Sequence, residues 1–587
     1  MGKGEYNALL VSRWFALFWY VILFLFGAFY SLAFPNSNWA FAAWIGLIPL
    51  YLSVLNKKKS TALWSGLSWG FGWGIFSFFW LGKIEFFIPF IIPIIIAWFP
   101  ALWALSVPIL RKYFLVSTAE QLEGFEKIQK VYSCKKNHIN KILLAFSLAS
   151  FWVLLDWVRS WIFTGLPWNF PGSTQWQFLP MIQIASITGV YGITFIIVFF
   201  NVSLAETLLA LYHSFKTKKL YVPIVIYIAI AFAGLNIIYG INRIKTINNV
   251  DNKNSTIFEA GMVEGDIPQS RYYSSKEANL ALSVYFSLSN ELLQKYKPDL
   301  LIWPESAIPQ PLRGEGELCS IYRNKLHKMI SEYHVPVLLG TIDFDFDYIG
   351  KDENIPIYNS ALLIDKYGDV VAQYNKMHLV PWGEYTPLSG YYPFKWFYPW
   401  IKKTFGMGRS LTPGKKNTIF KLKDGINAAV LICFEDVFPY VSREHVLKGA
   451  NLLITITNDA WFPNSSESAQ HLQQAVFRSV ETQRPMLRCG NNNGTCFIEP
   501  DGRISDSLFK ISMDGKTVLQ PEKTGRAAGI FNVNIPNNPP LTFYTLYGNI
   551  FVFICSIIFI LGVIWCFLKW IEKKRILLKT INGENNE

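Results

Sequence analysis

Apolar and polar positions follow two regimes along this chain. Long, nearly uncharged stretches fill the first 240 residues and return near the C-terminus, whereas residues from about 255 to 535 alternate short apolar segments with amphipathic ones. Eight apolar runs stand out, at 14–34, 39–55, 61–82, 86–110, 142–158, 181–212, 220–240 and 546–570. Each is near or above the roughly 17–20 residues that a helix needs to cross a hydrocarbon core, the run at 39–55 being the weakest. The first is too long for a signal-peptide core and lacks a small-residue cleavage site, so it reads as a retained helix. The pattern predicts a polytopic α-helical membrane bundle of about eight transmembrane helices carrying one large water-soluble domain.

Within that domain, IFEAGMV, DLLIW, PVLLGTIDF, SALLIDK, VVAQYN, AAVLIC, NLLITIT, PMLRCG and TCFIEP read as strands. Helical patterns cover about 275–296, 317–333, 439–450 and 467–483. Buried strands alternating with helices argue an α/β domain whose helices cover a large sheet. The expected division is 1–245 for an N-terminal bundle of seven helices, 246–540 for the catalytic domain, and 541–587 for a last transmembrane helix and tail.

Composition agrees with a membrane protein: 51% of residues are hydrophobic and 17% aromatic, well above soluble norms. The net charge of +13 gathers in alternate loops, at Lys57–Lys59, Arg111–Lys141, Lys216–Lys219 and Lys573–Arg575. By the positive-inside rule both termini lie on the positive side and the 246–540 domain on the other, which in a bacterial inner membrane is the periplasm. No basic stripe interleaved with stacking aromatics marks a nucleic-acid partner. Of the seven cysteines, none has metal-ligand spacing with histidines, and neither metal nor cofactor is expected. A Cys489–Cys496 disulfide is chemically allowed on the outward side.

Three stretches place charge where an apolar strand ends. Glu305 closes LLIWPES, Lys376 and Glu384 lie in YNKMHLVPWGEYTP, and Cys433 ends AAVLIC. Strand C-termini are where α/β folds build ligand crevices, so all three can point at one place. A lone cysteine is ordinarily a small buried hydrophobe, but a thiol, a carboxylate base and an ammonium together support nucleophilic attack on an acyl carbon. On this reading the lysine also lowers the thiol pKa, and Glu384 holds the lysine charged. His378 and His471 are read as structural or solvated, His471 on a polar helix. Asp156 and Glu206, the few acids in apolar runs, are read as lying near span ends.

These motifs resemble those of the nitrilase superfamily, and YNKMHLVPWGEYTP is similar to the YxKxHLVPFGEYxP motif of the apolipoprotein N-acyltransferase family within it. NDAWFPNSSESAQHLQQAVFRSVETQRPMLR (458–488), WVRSWIFTGLPW (157–168) and GVYGITFI (189–196) also resemble that family. The resemblance implies an αββα sandwich with Glu305 as general base, Lys376 as oxyanion stabiliser, Cys433 as nucleophile and Glu384 as supporting acid. It further implies substrate-binding or supporting places for Asn359, Tyr273, Phe434 and Glu435. Phe434 stands where the family has Tyr, Tyr273 where it usually has Trp, and RCGNNN (488–493) differs from the usual RATNTG. The implied reaction is ping-pong: a phospholipid acylates Cys433, and the α-amine of a diacylglyceryl-cysteine apolipoprotein takes the acyl group. The aromatic, basic segment 387–410, with Trp396 and Trp400, suits a lid at the headgroup level. The triad alone leaves open a membrane-anchored amidase that passes the acyl group to water, and the bundle alone leaves open a transporter or lipid-binding scaffold.

Overall fold

The computed structural model describes residues 3–55, 57–115, 137–218, 220–249, 255–269, 275–345, 355–387, 395–396, 399, 410–492, 494–510, 520–521 and 525–581. In lipid an uncharged segment must satisfy its own backbone, which leaves it helical. The apolar runs accordingly give α1 (Lys3–Ser31), α2 (Phe41–Ile45), α3 (Ile48–Ser53), α4 (Lys59–Phe78), α5 (Ile88–Leu115), α6 (Asn137–Arg159), α7 (Val190–Thr217) and α8 (Ile224–Asn248). The run at 39–55, expected as one span, is two short helices. Gly46 ends α2, and Pro49 in the first turn of α3 has no N–H to continue a ladder. Among the described residues, α5 to α8 and a C-terminal helix are the five long and apolar enough to cross a membrane.

Small residues set how closely the bundle packs. Gly66 and Gly70 turn one edge of α4 onto α5, where added Cβ atoms would lie 2.4 Å from Ala101 Cα and 2.7 Å from Ala97 Cα. Such close backbone approach replaces the hydrophobic driving force that lipid cannot supply. Two of the charges expected in loops are buried instead. Arg111 Nε, near the end of α5, and Lys141 Nζ, near the start of α6, lie 2.9 and 3.3 Å from the Glu206 carboxylate of α7, which puts that acid level with those helix ends. They neutralise a buried acid. Asp156 pairs with Arg159 at 3.2 Å at the end of α6.

The domain that follows is built from two sheets. The first, in the order β14-β1-β2-β3-β4-β5, comprises β1 (Ser255–Glu264), β2 (Leu300–Ile302), β3 (Val337–Phe344), β4 (Ile357–Ile364), β5 (Val370–Asn375) and β14 (Ala527–Pro536). The second, β11-β10-β9-β8-β7-β6, comprises β6 (Ile419–Lys421), β7 (Asn427–Ile432), β8 (Leu452–Thr457), β9 (Met486–Gly490), β10 (Cys496–Ile498) and β11 (Ile504–Ser507). A short ribbon, β12–β13, joins Phe509–Lys510 to Gln520–Pro521. Alternate strand residues face opposite ways. Ile302, Leu338, Val430 and Ile454 therefore fill the layer between the sheets, while Leu301 and Leu339 pack outward with α9 (Ser275–Lys295) and α10 (Glu317–Tyr333). On the other flank lie α11 (Pro439–Leu447) and α12 (Glu467–Thr482). The nine expected strands and four helices are all present in this αββα sandwich. Besides the short β12–β13 ribbon, the strands not anticipated, β6, β11 and β14, lie at sheet edges, where half-exposed residues blur the apolar pattern.

The second helical layer is also the seam with the bundle, and every residue of α12 is buried. The chain then returns as α13 (Ile550–Ile581), whose Phe559 stacks on Phe151 of α6 at 4.3 Å. Replacing Gly70 by Ile should force α4 from α5 and cost about 1–3 kcal/mol. A lowered unfolding midpoint in a denaturing-detergent titration would show it, and an unchanged midpoint would contradict the glycine-set packing.

Candidate active site

Each charged residue picked out at a strand end reaches one crevice, through backbone devices the strands set up. Glu305 follows β2 in a tight turn that rests on Gly340 of β3, where a Cβ would lie 2.6 Å from Glu305 Cα. Lys376 follows β5, its N–H held by the Asn359 carbonyl at 2.8 Å. Cys433 follows β7 with φ of 53°, a left-handed conformation that a side chain adopts only when its surroundings enforce it.

Lys376, 1% exposed, places Nζ 2.9 Å from Glu384 Oε1 and 3.5 Å from Glu305 Oε1. The Asn359 amide donates to both carboxylates, at 2.7 Å to Glu305 and 2.9 Å to Glu384. Glu384 Oε2 accepts the Val380 N–H at 2.7 Å, which folds the Gly turn onto the lysine. Glu305 also lies close enough to the Cys433 thiol for each to shift the other's protonation. Burial opposes the charge on Lys376, but Glu384 and Glu305 outweigh it and hold the ammonium above its ordinary range. Burial pushes Glu305 above the usual carboxylate range against the pull of Lys376. Burial and then Glu305 push the Cys433 thiol well up, and the opposing effect of Lys376 does not prevail. The lysine thus acts on the thiol in the expected direction but is outweighed, its charge being shared with two carboxylates.

Glu435 is fully buried, not a solvated turn acid. Its Oε1 accepts from Tyr374 Oη at 2.8 Å and from the N–H groups of Met377 and His378 at 2.7 and 3.1 Å. Its Oε2 accepts the Ile432 N–H at 2.8 Å. One carboxylate thereby ties the lysine loop to the cysteine turn. Burial raises its pKa to about 7 against the opposing amide bonds. Phe434 is half-buried and stacks on Trp168 of the bundle at 6.3 Å, so an aromatic wall survives the departure from Tyr. His378 meets Tyr440 Oη at 2.7 Å and Phe438 at 3.6 Å; burial and then Lys376 push it down to about 4, and it stays neutral. Trp396 is 74% exposed, whereas Tyr273 and Trp400 lie outside the described residues.

Behind the cysteine is a group of residues that the sequence reading did not bring together. His471, expected on a solvated or structural helix face, is 1% exposed. Its Nε2 lies 2.8 Å from Asp436 Oδ1, and its Nδ1 3.0 Å from Asp459 Oδ1. Arg488 Nη2 reaches Asp459 Oδ2 at 3.0 Å. Burial opposes the imidazole's charge, but Asp436 and Asp459 outweigh it and hold His471 well above its ordinary range. Cys433, Asp459 and His471 have ligand atoms within 4.8 Å of one another, a proximity their sequence spacing does not reveal. An imidazole protonated at both nitrogens has no lone pair to offer a metal. One compositional clue did exist: α12 is polar yet lysine-free and rich in amides and hydroxyls, the groups a buried surface can satisfy.

Cys489 and Cys496 are free, which rules out the allowed bridge. Cys496 pairs in register with Arg488 and so shares its face, while the neighbouring Cys489 points the opposite way, toward the Val263 and Ile302 carbonyls.

Paired sheets with Glu, Lys and Cys converging on strand ends define a nitrilase-type domain, and residues 260–513 match the Carbon-nitrogen hydrolase family. Residues 26–203 match the Apolipoprotein N-acyltransferase N-terminal domain. An apolipoprotein N-acyltransferase of Geobacter metallireducens is 30% identical over 537 residues, covering 91% of this chain and 93% of its own. Another, from Rickettsia prowazekii, is 29% identical over 545 residues and 93% of each. The chain belongs to the apolipoprotein N-acyltransferase family, and it is an acyltransferase of the nitrilase superfamily set in a membrane bundle.

Glu435→Ala would strand four donors, two of them in fully buried hydrogen bonds. It is expected to destabilise the domain by at least about 3 kcal/mol, seen as a lower thermal midpoint, and to abolish acyl transfer. Retention of both would remove the carboxylate from its place as the tie between the two loops.

Proposed function

We propose that this enzyme transfers a fatty acyl chain from a phospholipid to the N-terminal α-amine of diacylglyceryl-cysteine apolipoproteins, through a thioester on Cys433. The observation that carries the reading is the buried set in which Asn359 and Lys376 bridge Glu305 and Glu384, with Cys433 close enough to feel the charges of Glu305 and Lys376.

The thiol is neutral at rest, so activation is by general base. Glu305 takes the Sγ proton as the sulfur attacks the ester carbonyl, and Lys376 stabilises the oxyanion. Collapse of the tetrahedral intermediate breaks the C–O bond, and Glu305 returns the proton to the departing lysophospholipid alkoxide. In the second half, the α-amine attacks the thioester and Glu305 accepts its proton. Collapse then expels the Cys433 sulfur, which regains that proton, and an amide is left on the lipoprotein. Glu384 keeps Lys376 charged throughout. Trp396, exposed in the aromatic, basic 387–410 segment, is assigned with Trp400 to a lid at the headgroup level, and Tyr273 to a supporting role toward the substrate.

Both substrates are lipid-anchored, which fits a domain joined so closely to a bundle. The proposed topology places residues 1–245 and the last helix of 541–587 in the bacterial inner membrane, the 246–540 domain in the periplasm and both termini in the cytoplasm. Lys57–Lys59, Lys216 and Lys573–Arg575 support this orientation even with Arg111 and Lys141 set aside.

Intact-mass spectrometry of the enzyme in phospholipid micelles tests the reading. A fatty-acyl adduct should form on wild type, not on Cys433→Ala, and should discharge onto a diacylated lipopeptide amine. An adduct lost to water regardless of peptide would favour the amidase. Because Glu305 must be unprotonated to act, the acylation rate should rise with pH through a carboxylate pKa above the usual 4–5 range. A rate flat across that range would argue against Glu305 as base.

A further inference from the structure

Two consecutive residues of α12 face different parts of the molecule. The Gln470 carboxamide is 2% exposed and saturated by the bundle. Its Oε1 accepts from Trp80 Nε1, Trp168 Nε1 and Asn169 Nδ2 at 3.2, 2.8 and 3.1 Å. Its Nε2 donates to the carbonyls of Pro35 and Ser77 at 3.1 and 3.2 Å. About 100° further round the helix, His471 faces the cysteine turn, and its Nε2 lies 3.3 Å from the Cys433 carbonyl. Trp168 touches both sides of this junction: its ring is 5.7 Å from His471 and 6.3 Å from Phe434, the residue after the cysteine.

We propose that the membrane bundle sets the position of the nucleophile through the pair Gln470–His471, with His471 and Gln470 acting as positioning residues for Cys433. The inference rests on Cys433 being the nucleophile. A left-handed residue needs its surroundings to hold it, and the Cys433 carbonyl meets the His471 ring that Asp436 and Asp459 clamp. That ring cannot slide along the elbow unless α12 moves, and α12 is fixed by a carboxamide whose donors and acceptors come from the loop after α1, the end of α4, the turn after it and the 160–170 loop. Hydrogen bonds from several directions fix position in a way that an apolar contact of the same area does not.

The same helix supplies a control. Gln473 also bonds the bundle, donating to the Ser173 carbonyl at 2.8 Å, but among the described interactions it makes no contact with the cysteine turn. The test measures the rate of acyl-adduct formation on full-length enzyme over a range of phospholipid concentrations. Gln470→Leu, Trp168→Phe and His471→Gln are compared with Gln473→Leu and wild type. The first three should lower the maximal acylation rate about 10–100-fold, as expected of sub-ångström misplacement of a reacting group. Their half-saturating phospholipid concentration should stay within about twofold of wild type, the signature of lost transition-state alignment rather than lost binding. Gln473→Leu should keep the wild-type rate. Trp168→Phe removes one donor to Gln470 while keeping a ring, and carries the test if Gln470→Leu fails to fold. The proposal is overturned if Gln473→Leu is as slow as Gln470→Leu, or if Gln470→Leu and Trp168→Phe acylate at the wild-type rate. A wild type that forms no adduct at all would instead remove the nucleophile assignment beneath it.

Discussion

The structure depends on a helix that is polar and yet entirely buried. An unpaired polar group in such a place costs on the order of 1–3 kcal/mol, so α12 is tolerable only where each neighbour answers it. The bundle answers Gln470 and Gln473, and the Val190 N–H approaches Glu481 at 3.3 Å. The cysteine turn answers Arg478, which donates to the Val437 carbonyl at 2.8 Å. The segment before α13 answers Arg484, just past the helix, through the carbonyls of Pro539 and Pro540. Two bodies that meet through an apolar face can settle in several registers. Two that meet through hydrogen bonds with angular demands have far fewer choices, and here the sandwich inherits its place on the membrane from them.

A second constraint follows inside the crevice, where one ammonium serves two carboxylates. With Lys376 neutralised by Glu305 and Glu384, little of its field remains to stabilise a resting thiolate. On the proposed roles, this changes once Glu305 takes the thiol proton. Glu305 then becomes neutral, Glu384 alone balances the lysine, and the cation is free to act on negative charge developing at sulfur and oxyanion. The site therefore stays quiet in water and gains its electrostatic advantage only as the reaction proceeds, which is what differential stabilisation of a transition state requires. Asn359, bonded to both carboxylates, keeps them apart while that redistribution takes place.

How far the sequence could be read depended on how local the determining physics was. Strands such as AAVLIC and NLLITIT are buried on both faces, and their composition announces it. Glu305 and Cys433 were visible because each interrupts such a strand at its end, and Lys376 because it closes the half-exposed strand VVAQYN. The two-helix break at 39–55 was written in Gly46 and Pro49 but masked by an apolar run of the right length. Arg111 and Lys141 looked like loop charges because nothing near them in sequence reveals Glu206. The burial of His471 was hidden for the same reason: a polar helix is normally solvated, and only the meeting of bundle, sheet and turn makes this one interior. Pairings that span hundreds of residues, such as Trp168 with Gln470, have no local signature.

The acidic residues that follow the cysteine show how misleading sequence adjacency can be. In CFEDV the proposed nucleophile sits next to two carboxylates, which in an extended chain would raise its pKa by simple repulsion. The turn at Cys433 sends the side chains to different places. Glu435 turns back under the strand end to collect amide donors from the lysine loop, and Asp436 faces the His471 imidazole. Each acid is engaged by a partner of its own, and the carboxylate that governs the thiol is Glu305, distant in sequence and brought there by the neighbouring sheet. The local charge pattern is therefore scaffolding for the turn, and the reactivity of the cysteine is decided by residues that the pattern does not contain.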